Sequence, residues 1–403
     1  MTVAEEDLTN ARSDLAVLHV PTRIFLGEGA LDSLPTTVTT LGRAGTIIVG
    51  EKSARKSGVL EQVINQLDQH GHRIAVLHGI TPSPLISRVL ERIPEIKDEE
   101  PEYLIALGGG SVMDSAKLLS VATPNPGFLE SVKWSQHTAP VPDRYIPLVC
   151  VPTTAGSGSE ANNGASFIDS ERELRLPIFC NALFPYASFV EPSLTVTLGP
   201  SNTAFGGVDM LCHVLEHYLT CVNNTLIEDR LAESVMTTIV EVLPKAVADG
   251  NDLVARTELS RCSILAITNH LARGKGTSPV HRLEHVAAPT TRLAHGEGLA
   301  LLLPAYLRHL AKMESPRLCQ LGERVWGLSN TSRAKLSARA ADAMKQWLIE
   351  IGIRFGLGSR VREGITPHSL AHRCLNAFGD GHRLHPLAPL DYDSICSIYQ
   401  DSW

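Results

Sequence analysis

Tyr103-Leu-Ile-Ala-Leu-Gly108-Gly109-Gly110-Ser111-Val-Met-Asp114-Ser-Ala-Lys117 is a short apolar run, three glycines and the opening of a helical pattern. Strand, tight turn and helix follow one another without a gap, which is the local signature of an α/β unit. Glycines let the backbone approach an anion closely, and a helix N-terminus offers free N–H groups and the positive end of its dipole. A phosphate or pyrophosphate is the natural guest of such a turn; a plain strand-to-helix connection is the bland alternative. Ser111 followed by Asp114 reads as a capping box with Asp in place of the usual Glu. Neither G-x-G-x-x-G nor a Walker sequence is present, so a standard Rossmann or P-loop reading fails.

On either side the same rhythm continues. Short apolar runs at Thr46-Ile-Ile-Val-Gly50, Arg73-Ile-Ala-Val-Leu77 and Ile146-Pro-Leu-Val-Cys-Val151 alternate with amphipathic stretches such as Gly58 to Leu67. That alternation predicts a parallel sheet covered by helices. After about residue 200 the strand signals fade and helical patterns take over, as from Leu226 to Val240 and from Ala338 to Ile351. The expected organisation is a loose polar leader over 1–17, an α/β dinucleotide-binding domain over 18–200 and an all-helical domain over 201–403. The boundary turn is expected at Leu198-Gly-Pro-Ser-Asn202.

A chain of 403 residues exceeds one typical core, which agrees with two domains. Hydrophobic content of 43% and charged content of 20% are those of an ordinary globular protein. The net charge of -7 argues against nucleic acid or an anionic membrane as partner. No apolar run reaches the roughly 18 residues that a membrane span requires. The eight cysteines are scattered without a Cys-x-x-Cys pair and read as reduced buried thiols, so a cytoplasmic location is expected.

The second half carries the chemistry. In Phe205-Gly-Gly-Val-Asp209-Met-Leu-Cys-His213 the carboxylate and the imidazole are four apart, so on a helix they share a face and can share an ion. His281 and His295 complete a set of one carboxylate and three imidazoles that suits a divalent transition metal. His213-Val-Leu-Glu216-His217 and His281-Arg-Leu-Glu284-His285 both spell H-x-x-E-H, the inverzincin peptidase string. A peptidase would leave the glycine turn without a purpose, and two helical histidines beside common glutamates arise by chance. Histidines satisfied in a helical core fit any one of these residues but not the set, because an unpaired buried Asp209 would be costly. Glu51, at the end of a predicted strand, suits a ribose diol and so favours NAD(H), whereas Lys52 and Arg55 beside it suit the 2′-phosphate of NADP(H). Pro152-Thr153-Thr154-Ala-Gly-Ser157-Gly-Ser159-Glu160 follows another strand, and its hydroxyls suit a loop over phosphate or nicotinamide.

Four stretches in this order resemble the iron-containing (group III) alcohol dehydrogenases: the glycine turn, the Pro152 hydroxyl loop, Gly-Val-Asp-Met-Leu-Cys-His and the run ending Ala294-His295-Gly296. The likeness extends from about Pro21 to Ile395-Cys-Ser-Ile-Tyr. It implies a dehydroquinate synthase-like architecture and a metal held by Asp209, His213, His281 and His295, Fe²⁺ first, with Zn²⁺ also accommodated. It places His285 near nicotinamide and substrate, where an imidazole can relay a proton. It puts Gly109, Gly110, Ser111 and Asp114 at the pyrophosphate and Thr153, Thr154 and Ser157 in the hydroxyl loop. Glu51 falls where NAD-using members carry an aspartate. Arg175 stands where the family has a ribose-reaching lysine, and Ser83 where it has an asparagine near the adenine. The implied reaction is hydride transfer between a nicotinamide cofactor and an alcohol–aldehyde pair, in a homodimeric enzyme.

Leu271-Ala-Arg273-Gly-Lys275-Gly-Thr277-Ser278, just ahead of His281, is unusual against the family. Two cations and two hydroxyls beside the metal suit a substrate with a carboxylate, phosphonate or phosphate tail, as in succinic semialdehyde or phosphonoacetaldehyde. A solvent-facing basic loop is the plainer reading. The alternatives are a reductase of simple neutral aldehydes, as in butanol dehydrogenases, the peptidase above, and a non-catalytic metal or nucleotide sensor.

Overall fold

The computed structural model describes residues 19–51, 53–221, 226–268, 277–329, 332–379, 383–384 and 390–403. The expected leader, Lys52 and the Arg273 and Lys275 pair lie outside the described residues. Eight strands lie in the first half: β1 Arg23–Leu26, β2 Ala44–Gly50, β3 Arg73–Ile80, β4 Tyr103–Gly108, β5 Leu148–Pro152, β6 Gly164–Asp169, β7 Leu174–Phe179 and β8 Ala187–Val190. Six of them form one sheet in the order β1-β8-β5-β4-β2-β3, and every pairing in it is parallel.

The sheet is buried on both faces, which explains why its strands read as continuous apolar runs. The period of two sorts successive side chains into two cores. Ile48, Leu104, Ala106, Leu148 and Cys150 enter one core, while Ile47, Val49, Ile105, Leu107, Val149 and Val151 enter the other. β2 connects outward to β3, and the chain then returns to β4 on the opposite side of β2. The crevice beyond the C-terminal ends of β2 and β4 is therefore a topological switch point, where open α/β sheets bind ligands. Glu51 and the glycine turn both emerge there.

β6 and β7 form a separate antiparallel hairpin, which the sequence reading did not anticipate. Leu174-Arg-Leu-Pro-Ile-Phe179 carries a proline and a charge, so it scores poorly as a strand. Pro177 is tolerated because, away from β6, β7 meets only a single bridge, from Phe179 at its end to Thr138.

From Pro200 onward the described residues are helical or irregular, apart from isolated bridges. The turn at Leu198 is shorter than expected, since a helix of 21 residues, Pro200–Thr220, starts at once with proline in its first turn. This helix crosses Leu226–Ala248, Leu253–Ile267 and His295–Lys312 in one large apolar core that includes Val208, Leu211, Cys212 and Leu215. All eight cysteines are buried and free. No described helix is long and apolar enough to cross a membrane.

The two halves meet at a close backbone contact. A Cβ on Gly206 would lie 2.3 Å from the carbonyl oxygen of Ala155, and one on Gly296 would lie 2.0 Å from that of Phe205. The start of the Pro200–Thr220 helix is thus pressed between the hydroxyl loop after β5 and the start of the His295–Lys312 helix. Gly206→Ala is predicted to lower stability by about 1–3 kcal/mol through overpacking. Denaturant unfolding of the purified variant measures it, and an unchanged midpoint would show that the contact is slack.

Candidate metal and nucleotide site

The Pro200–Thr220 helix aligns Asp209, His213 and Glu216 on one face, since they are four and seven positions apart. The short Pro279–Ala287 helix presents His281, Glu284 and His285 in the same way, and His295 is the first residue of the third helix. These elements bring the four expected ligands together. The Nε2 atoms of His213, His281 and His295 lie 3.5, 3.7 and 3.6 Å from a single atom, Asp209 Oδ1. The His213 and His281 rings stack with centroids 5.0 Å apart.

Asp209 is 7% exposed, and its Oδ1 and the Nε2 of His281 are buried with no hydrogen-bond partner among the described residues. A buried carboxylate oxygen and a buried ring nitrogen left bare are costly unless a cation completes them. The donor set of one oxygen and three imidazole nitrogens is that of a divalent transition-metal site. The residues present therefore fit a metal. Burial works against the charge on Asp209, but the His213, His295 and His281 rings that face it outweigh burial and hold the carboxyl well below the usual range. Burial pulls His213 down to about 3, whereas against its burial Glu216 and Asp209 push His281 up to about 10.

The two H-x-x-E-H strings prove to hold something the sequence reading missed. Glu216 Oε1 accepts from His281 Nδ1 at 2.5 Å, while its Oε2 accepts from the backbone N–H of Val280 at 2.6 Å and of His281 at 3.3 Å. One carboxylate thus caps the next helix and fixes the His281 tautomer with Nε2 turned to Asp209. Glu284 Oε2 accepts from His295 Nδ1 at 2.7 Å and does the same for that ring. Such carboxylate–histidine pairs orient metal ligands and raise their basicity. The signal was present in the sequence as glutamates at helical spacing from the histidines, but each supports a histidine outside its own H-x-x-E pair.

His285 is buried beside these rings, with centroids 6.2 Å from His281 and 5.7 Å from His295. Burial, then the charges of His295, His281, Arg175 and His137, keep it well below the usual histidine range. Phe378 covers it at 6.1 Å.

At the other end of the site, Gly109 is extended and forms the N-cap of the Gly110–Ala122 helix, with no side-chain cap. The expected capping box is absent: the helix begins before Ser111, so Ser111 lies inside the first turn. Ser111 Oγ instead accepts from the N–H of Ser83 at 3.2 Å. Asp114, expected at the pyrophosphate, has both oxygens engaged in the protein. Oδ1 accepts from Ser159 Oγ at 2.7 Å and Oδ2 from the N–H of Ser166 at 3.0 Å, tying the hydroxyl loop and β6 to the helix. Lys117 is fully buried with its ammonium on Asn162 O, Asn162 Oδ1 and Gly164 O, each at 2.8 Å, and burial brings it down to about 8.

The hydroxyl loop closes directly on the glycines. A Cβ on Gly110 would lie 2.8 Å from Ser157 Oγ, and one on Gly109 would lie 3.1 Å from Thr154 Oγ1. Thr153 donates its N–H to Gly108 O at 3.0 Å, because β4 and β5 pair up to Gly108 and Pro152. Glu51 is exposed at the end of β2. Arg175, expected at the ribose, is 5% exposed and turned inward: Nη2 donates to Ser83 Oγ at 2.9 Å, and Nε lies 3.5 Å from Glu284 Oε2. These partners engage its planar guanidinium from the protein side. Ser83 sits in the left-handed region with φ 48°, between Arg175 and Ser111.

Family models for the iron-containing alcohol dehydrogenases match residues 21–192, and for the C-terminal part of the same family residues 203–403. The chain belongs to the iron-containing alcohol dehydrogenases. It is 29% identical over 335 residues to a probable NADH-dependent butanol dehydrogenase 1 of Bacillus subtilis, covering 82% of this chain and 86% of that protein. It is 28% identical over 337 residues to the NADPH-dependent aldehyde reductase YqhD of Escherichia coli, covering 83% and 86%. The crystal structure of Escherichia coli YqhD superposes with a TM-score of 0.87 at 26% identity, over 96% of this chain and 99% of that one. The NADH-dependent butanol dehydrogenase A of Thermotoga maritima shares the fold, with a TM-score of 0.86 at 24% identity over 96% and 98%. This family member is a nicotinamide-dependent oxidoreductase of the alcohol dehydrogenase and aldehyde reductase class, with a divalent metal.

Glu216→Gln and Glu284→Gln keep the shape but remove the anionic acceptor at Nδ1. Each is predicted to weaken metal binding by about 10–100-fold. Chelator competition on the purified proteins reads this directly, and wild-type affinity in both variants would reduce the two carboxylates to a folding role.

Proposed function

We propose that the protein reduces a short aldehyde carrying an anionic group, taking hydride from NADH in preference to NADPH. The observation that carries the reductase reading is the convergence of three imidazole nitrogens on one bare oxygen of Asp209, beside a glycine turn that suits a pyrophosphate. In this reading Asp209, His213, His281 and His295 hold the ion, with iron as the family's usual metal. When bound, the ion supplies Lewis acidity toward the aldehyde oxygen and the reduced nicotinamide supplies the hydride.

The chain's own residues do the rest. Gly109, Gly110 and Ser111 present the helix N-terminus to the pyrophosphate, and Thr153, Thr154 and Ser157 enclose it from the hydroxyl loop. Glu51 accepts from a ribose diol and repels a 2′-phosphate, which supports NADH. Glu216 and Glu284 keep His281 and His295 in the tautomer that turns Nε2 toward Asp209. His285 delivers the proton that completes the alcohol. Because burial holds it neutral, it relays by accepting on one nitrogen and donating from the other, rather than by storing charge. Aldehyde, hydride and one proton give the alcohol and the oxidised cofactor, so the step balances.

The anionic tail rests on Arg273 and Lys275 close before His281 in the sequence. Absorbance at 340 nm with NADH or NADPH, added Fe²⁺ or Zn²⁺ and a panel of anionic and neutral aldehydes tests the reading. Asp209→Asn is predicted to lose turnover by at least a hundredfold. Replacing Arg273 and Lys275 by alanine should raise KM for succinic semialdehyde much more than for butanal. Equal effects on both would favour a reductase of neutral aldehydes, the activity named for the butanol dehydrogenases this chain resembles. Absence of turnover with every aldehyde would remove the reductase reading itself.

A further inference from the structure

Arg282 lies between the ligand His281 and the expected proton carrier His285 on the Pro279–Ala287 helix. It is only partly exposed, yet among the described residues its guanidinium has no hydrogen bond and no ion pair. Two other described cations are committed, Arg175 to Ser83 and Glu284, and Lys117 to three oxygens. Five donors held on a rigid helix next to the chemistry, without an acceptor, are an unmet demand for an anion.

The surroundings meet that demand from two more sides. His137 stands in the left-handed region with φ 57°, held there as its carbonyl accepts from the N–H of Phe179 at 2.7 Å. An off-minimum backbone retained by its neighbours is a mark of functional sites. Its Nδ1 is buried without a partner, and its ring meets Phe378 at 6.0 Å, the same ring that covers His285. His217, on the helix of Asp209 and His213, also has a buried unpartnered Nδ1, while its Nε2 lies 3.3 Å from Ser278 Oγ. Burial first, and then the Arg282 charge, lower His137; the same charge reaches His217. The carboxylates around them are engaged, Asp209 facing the three rings, Glu216 on His281 and Glu284 on His295 and Arg175.

We propose that Arg282, with His137 and His217 beside it, forms the subsite that holds the anionic end of the substrate. This rests on the aldehyde-reductase reading and adds Arg282, His137 and His217 to Arg273 and Lys275 as residues that select the anionic aldehyde. Residues three apart on a helix have Cβ atoms roughly 5–6 Å apart, so the subsite stands one side chain away from His285. That spacing suits a carboxylate or phosphonate two or three bonds from the carbonyl carbon. Phe378, packed on both His137 and His285, covers the short apolar part between the two ends.

The test compares succinic semialdehyde with butanal, which share a chain length and differ in the terminal charge. In Arg282→Gln the ratio of kcat/KM for the anionic over the neutral aldehyde is expected to fall at least tenfold, as follows from losing a charge-assisted hydrogen bond. Arg282→Lys, which keeps the charge and loses the fork, should recover part of it. A ratio within twofold of wild type in Arg282→Gln overturns the subsite. Should that variant fail to fold, His137→Gln must lower the same ratio, and an unchanged ratio there overturns it equally. Calorimetric titration of the metal-loaded enzyme with succinate reads binding without turnover, and at least tenfold weaker binding by Arg282→Gln is expected. If the wild type reduces neither aldehyde, the reductase reading falls and the succinate titration alone decides the subsite. Equal succinate affinity in both proteins then places the anion elsewhere.

Discussion

A carboxylate withdrawn from water dominates this molecule. Asp209 is placed one turn before His213 by a helix whose opposite side is wholly committed to the apolar core, so it cannot swing out to solvent. Its charge must be answered inside the protein, and the answer is three imidazole nitrogens at nearly equal distances with room for a cation among them. The other arrangements of the helical half follow from that demand. Glu216 caps the helix of His281 so that the ring arrives in the right tautomer, and Glu284 does this for His295. Gly296 and Gly206 let three chain segments converge without side chains between them.

The site is continuous with the nucleotide end of the sheet. Ser111 in the glycine-turn helix bonds to Ser83, Ser83 to Arg175, Arg175 pairs with Glu284, and Glu284 holds His295. Arg175 belongs to β7 of the hairpin and Glu284 to the helical half, so this buried pair joins the two halves through charge, as the Gly206 contact joins them through shape. Removing either partner would leave the other buried charge without its counter-ion, with Glu284 held only by His295 and Arg175 only by Ser83, which is costly.

Much of this was legible in the sequence, and the rest was hidden for physical reasons. The parallel sheet announced itself because strands buried on both faces must be apolar throughout, and Tyr103 to Gly108 has no exposed residue. The metal candidates were legible because four-residue spacing on a helix is a local property. The β6–β7 hairpin was not, since Pro177 and Arg175 break the strand pattern and are excused only by tertiary contacts. Asp114 had the right spacing for a capping box, but helix start is decided by backbone conformation at Gly109, and the carboxylate found partners 45 and 52 residues away. The Arg175–Glu284 pair was hidden for the same reason: the two are over a hundred residues apart, beyond any local pattern. The two glutamates of the H-x-x-E-H strings were visible but given no role, because the string says nothing about which ring each one meets.

Cys212 gives the ligand helix a further consequence. It directly precedes His213, and a thiolate there would be a softer donor than anything in the Asp209 cluster. It lies about 100° around the helix from His213 and packs into the apolar core, where it is fully buried with Val208, Leu211 and Leu215 and is pushed well above the usual thiol range by burial, then by Glu216 and Asp209. Sulfur is thereby kept out of competition with oxygen and nitrogen for the ion. The apolar core of this half thus works as a filter on coordination chemistry as well as a source of stability, leaving only ligands that bind a redox-capable ion without capturing it as a closed thiolate site.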